Sequence, residues 1–380
     1  MKFSSLLKFK SEEEKVLLLI EPGGIGDYVL IRPYLKFIKQ SPKYKDYKVI
    51  YLAKDSYIDF VRAYDSDCFD SIISYDPLEF DEDRDYRKYL LKKLNSLNVD
   101  TIINLRAIVV PNLPDWCVRR KLIKHIKANN KIADVIKLKS NKRKEHKLKF
   151  YTDIIYNNNE YFFELERRRL FFEKFLGINI PKQNSSFENI LGGIDKNTVL
   201  ISMGSLSEYR EYPVDKCIIL INKLLSVTDY KFALLGIQSQ SKNNQTILKG
   251  VNDSDRVINL AGKTNINQLP DILKRCALFI GTESGTVHIA NSVGCKTICL
   301  SNGSFYQRFH PYPDCSNAMY IYPQWFKDAV SEGVLNLMDV YGGEQPWSLN
   351  GINVEEIVDA VAGIRDKSKE WKDRGISEIF

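Results

Sequence analysis

Short apolar runs alternate with amphipathic stretches through most of the chain. Val16–Ile20 is continuously apolar and is bounded by Pro22 and glycines, and a helical spacing then runs from Tyr28 to Gln40. Tyr47–Leu52 reads as the next strand and Tyr57–Tyr64 as a helix, with Ser71–Tyr75 and Asp100–Leu105 continuing the series. Strands that are apolar at consecutive positions are covered on both faces, so the alternation predicts a parallel sheet flanked by helices. After Asn104 the pattern dissolves into a basic region, and Tyr161–Leu176 returns as a long helix ending at Gly177.

Residues 181–197 are turn-rich and read as a linker. The second half restarts the alternation, with strands expected at 198–202, 231–235, 257–260, 277–281 and 297–300. The pattern therefore predicts an α/β protein of two Rossmann-like, doubly wound domains, 1–185 and 186–350, facing across a cleft at the carboxyl ends of their sheets. A final helical segment, 351–380, is expected to pack its amphipathic part, Val354–Arg365, back onto the first domain.

Composition narrows this picture slightly. A length of 380 residues suits two domains of about 150 residues each. With 44% hydrophobic and 27% charged residues the chain can bury large cores, which excludes a small binding module, a disordered chain or a low-complexity repeat. Met1–Lys10 lacks the sustained apolar core and cleavage site of a secretory signal, and no apolar run approaches the roughly 20 residues that a membrane helix needs. A soluble or peripheral protein of the cytoplasm is expected. The seven cysteines are an odd number without any C-x-x-C pair, which suits reduced thiols and no zinc site.

Charge changes the picture more. The net charge is +7, but Arg119–Lys149 alone holds 13 Lys/Arg against Asp134 and Glu145, which leaves 42 basic and 46 acidic residues elsewhere. One basic segment on a mildly acidic body reads either as a docking surface for something anionic or as a solvated loop. No aromatic residue interrupts the segment between Trp116 and Phe150, so the stacking platform of a single-strand nucleic-acid binder is missing.

Three loops carry candidate chemistry. Pro22-Gly-Gly-Ile-Gly-Asp27 follows the first strand; Gly23, Gly24 and Gly26 permit a tight turn, and Asp27 stands at a helix start, either as a cap or as a base. No Gly-Lys-Ser/Thr follows, and Gly24-x-Gly26-x-x-Val29 lacks the third glycine of a dinucleotide fingerprint. Gly281-Thr-Glu-Ser-Gly-Thr-Val-His288 reads as strand, turn and helix, so Ser284, Gly285 and Thr286 offer N–H and hydroxyl groups to a diphosphate. Glu283 can accept bonds from sugar hydroxyls, and His288 either braces the turn or acts in it. In Gly204-Ser-Leu-Ser-Glu-Tyr-Arg210, Arg210 can neutralise a phosphate, with Ser205 and Ser207 as donors. Asp65-Ser-Asp67 and Asp253-Ser-Asp255 imitate the D-x-D of metal-dependent glycosyltransferases but lie in polar surface stretches, and the histidines have no ligand spacing.

The glycine loop with Asp27, Arg210-Glu-Tyr-Pro213, Gly236 followed by Gln240, Leu260-Ala-Gly-Lys-Thr264 and Gly281–Ala290 occur in an order that resembles glycosyltransferase family 9, the ADP-heptose:lipopolysaccharide heptosyltransferases. The resemblance runs through most of 16–365; it is specific at 261–290 and 23–27 and weak at 106–160 and 305–350. It implies a GT-B fold and inverting, metal-independent transfer of a sugar, heptose from ADP-heptose, onto lipopolysaccharide or a related surface glycan. It implies no cofactor beyond the nucleotide-sugar co-substrate.

Carried over by residue, the resemblance makes Asp27 the general base and Arg210 the cation on the donor phosphates. Ser284, Gly285, Thr286 and His288 fall in the diphosphate turn, and Lys263 with Thr264 fall by the adenine. Glu283, Gln240 and Arg210 depart from the family's usual Asp, Glu and Lys, all on the donor side. The basic segment, with Arg119, Arg120, Lys121, Lys142, Arg143, Lys144 and Lys147, falls in the half that receives the acceptor. It is expected to meet a phosphorylated glycolipid or the anionic inner face of the membrane. The competing readings are a non-catalytic nucleotide-sugar-binding subunit, a member using another nucleotide sugar, and a dinucleotide-dependent oxidoreductase.

Overall fold

Two six-stranded parallel sheets organise the chain in a computed structural model that describes residues 14–110, 118–138, 141, 145–156, 163–183, 187, 194–205, 207–313 and 317–365. There are two compact units. The first takes in the chain to Gly24, Tyr34–Glu160 and Arg168–Lys182; the second takes in Ile25–Pro33, Tyr161–Arg167 and the chain from Gln183.

The first sheet holds β1 (Val16–Glu21), β2 (Lys48–Lys54), β3 (Ser71–Tyr75), β4 (Val99–Val110), β5 (Asn130–Lys137) and β6 (Asp153–Tyr156), in the order β3-β2-β1-β4-β5-β6. Leu18 sits opposite Ile50 on one side and Ile102 on the other. The helices are α1 (Ile25–Leu35), α2 (Ile58–Tyr64), α3 (Pro77–Glu82), α4 (Arg84–Asn95), α5 (Val118–His125) and α6 (Glu164–Leu176). Leu90, Leu94, Leu122 and Ile126 pack with Leu18, Ile50, Ile102 and Val135 into one core.

Three departures from the pattern reading have a local reason. α1 stops at Leu35 rather than Gln40, because Pro33 lies inside the helix and cannot continue its ladder; Phe37 and Ile38 instead bond three residues back. β4 runs on to Val110 through a shift of register between Asn104 and Ile108. The basic region also contains a buried strand, β5, whose apolar window is flanked by lysines. Lys131 at its start sends its ammonium to the carbonyls of Ile123 and Lys124, at 3.0 and 3.1 Å, and so caps the end of α5. Burial lowers the pKa of that ammonium. Asp134 inside β5 is matched by Arg168 at 3.4 Å.

The second sheet repeats the winding with β7 (Thr198–Ser202), β8 (Lys231–Leu234), β9 (Val257–Asn259), β10 (Leu278–Thr282), β11 (Thr297–Leu300) and β12 (Ala318–Ile321), in the order β12-β11-β10-β7-β8-β9. β12, a four-residue strand, was not expected from the pattern. Its helices are α7 (Val214–Val227), α8 (Ser241–Gly250), α9 (Leu269–Arg275), α10 (Gly285–Ser292), α11 (Gln324–Ser331), α12 (Leu337–Gly342) and α13 (Val354–Arg365). The buried face of α13 belongs to the second unit. Ile357, Ala360 and Val361 share the core of the second unit with Leu220 and Leu224 of α7, and Lys223 pairs with Glu355 beside them. Its apolar stripe recurs at three- and four-residue spacing, and each fully buried Leu or Ile is worth about 1.5–3 kcal/mol, so docking on α7 removes the stripe from water. The linker residues 184–186 and 188–193 lie outside the described residues.

Candidate functional site

In both sheets the strand order reverses direction beside the first strand, between β1 and β4 and between β7 and β10. Loops leaving the carboxyl ends of strands at such a switch point form the usual ligand crevice of an open α/β sheet. The second sheet places there Gly204, Ser205, Ser207 and Arg210 after β7, Gln240 after β8, and Glu283, Ser284, Gly285 and Thr286 after β10.

Gln240 occupies the space left by two glycines. A Cβ on Gly204 would lie 2.3 Å from its Nε2, and one on Gly236 would lie 2.8 Å from its Oε1. Its Oε1 accepts the N–H of Ile237 at 3.1 Å, so the side chain folds back over the ends of β7 and β8. The Ser207 N–H donates to Ser205 Oγ at 3.2 Å, and the Ser205 N–H reaches Glu211 at 3.4 Å. Lys263 is exposed and Thr264 half-buried in a turn that Gly262, at φ +71, allows.

Arg210 ends a 3-10 turn and sits between two acids. Its Nη1 is 2.8 Å from Glu283 Oε2 and its Nε is 2.8 Å from Glu344 Oε1. Burial works against its charge, but the two carboxylates outweigh burial and raise its pKa. The Glu283 carboxylate, read from sequence as a partner for sugar hydroxyls, is engaged by Arg210. Its other oxygen is 3.8 Å from His288 Nε2. His288 is buried, and its Nδ1 lies 2.8 Å from the Tyr312 hydroxyl. Burial pushes its pKa below 6.5 against the opposing pull of Glu283, Asp27 and Glu164, so the neutral imidazole is favoured.

The starts of α1 and α10 touch within the second unit. A Cβ on Gly26 would lie 2.9 Å from His288 Cδ2 and 3.2 Å from Gly285 Cα; one on Gly285 would lie 2.5 Å from Ile25 Cγ2 and 3.0 Å from Gly26 N. Glycine is required at both positions by this approach. It brings Asp27, in the first turn of α1, beside the turn that opens α10. Ser284 is the N-cap of α10 in extended conformation and makes no side-chain capping bond, so its hydroxyl does not close the helix. The first N–H groups of a helix lack intrahelical partners and carry its positive end, which makes this turn suited to an anion. Nearer β1, Gly23 donates its N–H to Glu21 at 2.6 Å, and Gly24 is exposed with open space beside its Cα.

Several residues of this region were not legible by pattern. Glu164 is buried with Arg167 Nε at 2.8 Å and Arg308 Nε at 3.0 Å, and its own N–H bonds the Arg308 carbonyl at 2.7 Å. Arg308 and Tyr312 lie on a stretch where Phe305 and Gln307 adopt φ of 63 and 64, a backbone strain that collects at functional sites. The charged pair Glu164 and Arg167 in a Phe- and Leu-rich helix was the available signal for the triad. Glu344 had none.

The basic segment is only partly covered. Lys142, Arg143 and Lys144 lie outside the described residues, as do the side chains of Arg119 and Arg120. Lys121 pairs with Asp81 at 3.1 Å, and Lys147 is half-buried. Among the described residues no group of three or more His, Cys, Asp or Glu is arranged to hold a metal ion.

Residues 133–331, more than half of the chain, match glycosyltransferase family 9 (heptosyltransferase). The chain belongs to glycosyltransferase family 9. The family match takes in Arg210, Gln240, Glu283 and His288 but starts well after Asp27. A curated relative, lipooligosaccharide heptosyltransferase 2 of Haemophilus influenzae, is 30% identical over 94 residues, which span 24% of this chain and 27% of the relative. The family 9 glycosyl transferase of Veillonella parvula superposes with a TM-score of 0.65 at 16% identity, covering 92% of this chain and 97% of the other. The ADP-heptose lps heptosyltransferase II of E. coli gives 0.64 at 15%, covering 92% and 98%. An E. coli heptosyltransferase solved with ADP gives 0.61 at 12%, covering 92% and 99%. These likenesses show the fold, an α/β architecture of the GT-B type.

Proposed function

We propose that this family 9 chain is an inverting glycosyltransferase that moves a sugar, heptose from ADP-heptose, onto lipopolysaccharide or a related surface glycan. The observation that carries the reading is the glycine-to-glycine contact that sets Asp27 beside the turn Ser284–His288. The names of the relatives support the donor and acceptor classes, since they are heptosyltransferases and one was solved with ADP.

In this reading the donor diphosphate lies on the N–H groups of Gly285 and Thr286, with Ser284 and Arg210 adding a hydroxyl and a guanidinium. Negative charge grows on the leaving phosphate as the anomeric bond breaks, and these fixed dipoles meet it without reorganising. They supply the stabilisation that a divalent cation gives in other glycosyltransferases. Asp27 takes the proton of the acceptor hydroxyl as that oxygen attacks the anomeric carbon. The neutral His288, held by Tyr312, braces Glu283 and through it Arg210. Lys263 and Thr264 would lie by the base, with Gln240, Ser205 and Ser207 lining the donor side.

The first unit would receive the acceptor. Its basic segment would meet phosphate groups of a glycolipid or the anionic inner leaflet, placing the enzyme as a peripheral protein of the cytoplasmic face. Among the described residues no helix is long and apolar enough to cross a membrane. Replacing Asp27→Asn tests the chemistry. Nucleotide binding should persist while transfer falls by about 10²–10⁴-fold, the usual contribution of a general base. Near-normal turnover would sink the assignment. The pairing of Arg210 with Glu283 favours one second reading, a nucleotide-sugar-binding subunit; wild-type binding of labelled donor with no turnover on any acceptor extract would establish it.

A further inference from the structure

Arg210, the cation assigned to the donor phosphates, is engaged by two carboxylates that are held very differently. The Glu283 side chain is 7% exposed, lies beside His288, and belongs to a residue whose N–H is tied to the Leu300 carbonyl at 3.0 Å. The Glu344 side chain is 36% exposed and sits between α12 and the 3-10 turn Leu349–Gly351. One guanidinium between two carboxylates forms a group with a net formal charge of −1. A diphosphate brings further negative charge to the same guanidinium, and a planar guanidinium has two edges on which to hold paired oxygens. A diphosphate added to the two carboxylates would leave three anions around a single positive charge, so like-charge repulsion disfavours keeping both carboxylates there. The buried acid cannot leave without stranding a charge beside His288, whereas the exposed one can turn into water at little cost.

The geometry points to Glu344 as a specificity-determining residue that stands in for a phosphate on the Nε edge of Arg210 and yields that edge only to a ligand rich enough in charge to displace it. The inference rests on the donor reading above and deepens it. Glu344 makes the site discriminate nucleoside diphosphates from nucleoside monophosphates, because a single phosphate competes less well with a resident carboxylate. Glu283 stays on Arg210 throughout and holds the guanidinium for the incoming oxygens. No residue of the diphosphate turn needs to move for the exchange.

The test is a calorimetric titration of wild type and Glu344→Gln with inorganic pyrophosphate, ADP and AMP. The exposed Glu332→Gln serves as a control for net charge. The variant is expected to bind pyrophosphate about fivefold more tightly, the upper range for an exposed ion pair, and the gap between ADP and AMP affinity should narrow. The gain should shrink as salt is raised. Unchanged or weaker pyrophosphate binding by Glu344→Gln, or an equal gain in Glu332→Gln, overturns the inference. A failure of the donor reading looks different: pyrophosphate binding tightens in Glu344→Gln, but ADP binds no better than pyrophosphate in either protein. Thermal unfolding of Glu344→Gln close to wild type excludes misfolding as the cause of a loss.

Discussion

Gly285→Ala is the substitution that most directly interrogates the contact between the starts of α1 and α10. The new methyl would lie 2.5 Å from Ile25 Cγ2 and 3.0 Å from Gly26 N. Carbon pairs rest at about 3.5–4.0 Å, so the methyl arrives about 1 Å too close. The Ile25 methyl can swing aside, but Gly26 N is backbone, and the two helix starts must part. Overpacking of this kind costs about 1–3 kcal/mol, and alanine returns at most about 1 kcal/mol by stiffening the helix relative to glycine. The net loss should be about 1–2 kcal/mol, which lowers Tm by about 2–8 °C for a unit of this size.

Function should suffer more than stability. A displacement approaching 1 Å between a base and a reacting centre costs about 10²-fold in rate. The assay pairs thermal unfolding with sugar transfer and ADP binding. Gly24→Ala is the matched control, because nothing lies within 4 Å of a Cβ there, and it should stay within about 0.5 kcal/mol of wild type. A Gly285→Ala protein with an unchanged Tm and unchanged turnover would refute the close approach and with it the placement of Asp27 by the diphosphate turn.

Three further outcomes are expected. Glu164→Gln strands the buried guanidinium groups of Arg167 and Arg308 and should cost about 3–5 kcal/mol in urea unfolding; a loss below about 1 kcal/mol would mean that water already screens the triad. Burial holds the pKa values of His288 and His310 below the ordinary 6.5, so the unfolded chain takes up their protons first. Stability should therefore be full above about pH 6.5 and decline as pH falls through the lowered folded values, with His288→Gln declining less steeply; parallel curves would argue against it. Reversing Arg143, Lys144 and Lys147 to Glu should weaken binding to anionic liposomes by at least about 1 kcal/mol per residue while sparing ADP binding, and unchanged liposome affinity would return the segment to a solvated loop.

Where an element's apolar residues are consecutive and its ends are polar, its bounds were readable directly. Thr198–Ser202 and Thr297–Leu300 are strands at the expected residues, because burial on both faces leaves an uninterrupted apolar run within each. β5 was hidden by charge. Lys131, Asp134 and Lys137 break its run, and pattern alone cannot see that Arg168, on α6, answers the buried carboxylate. The glycine loop and the turn at Ser284 were visible as loops after strands, but their contact joins residues far apart in the chain and rests on the absence of two Cβ atoms. Glu344 lies in an ordinary polar stretch, and only its distance to Arg210 gives it a role.

By itself the sequence determined the alternation of strands and helices, the two-sheet organisation and the family, because these depend on hydrophobic periodicity and local motifs that neighbouring residues carry together. Tertiary structure decided which charges are answered. It paired Arg210 with Glu283 and Glu344, buried Glu164 between two arginines, lowered the pKa of His288 and docked α13 on α7. Electrostatic interactions and packing depend on distance and on exclusion of water, and both are set by folding between residues that the linear chain keeps apart.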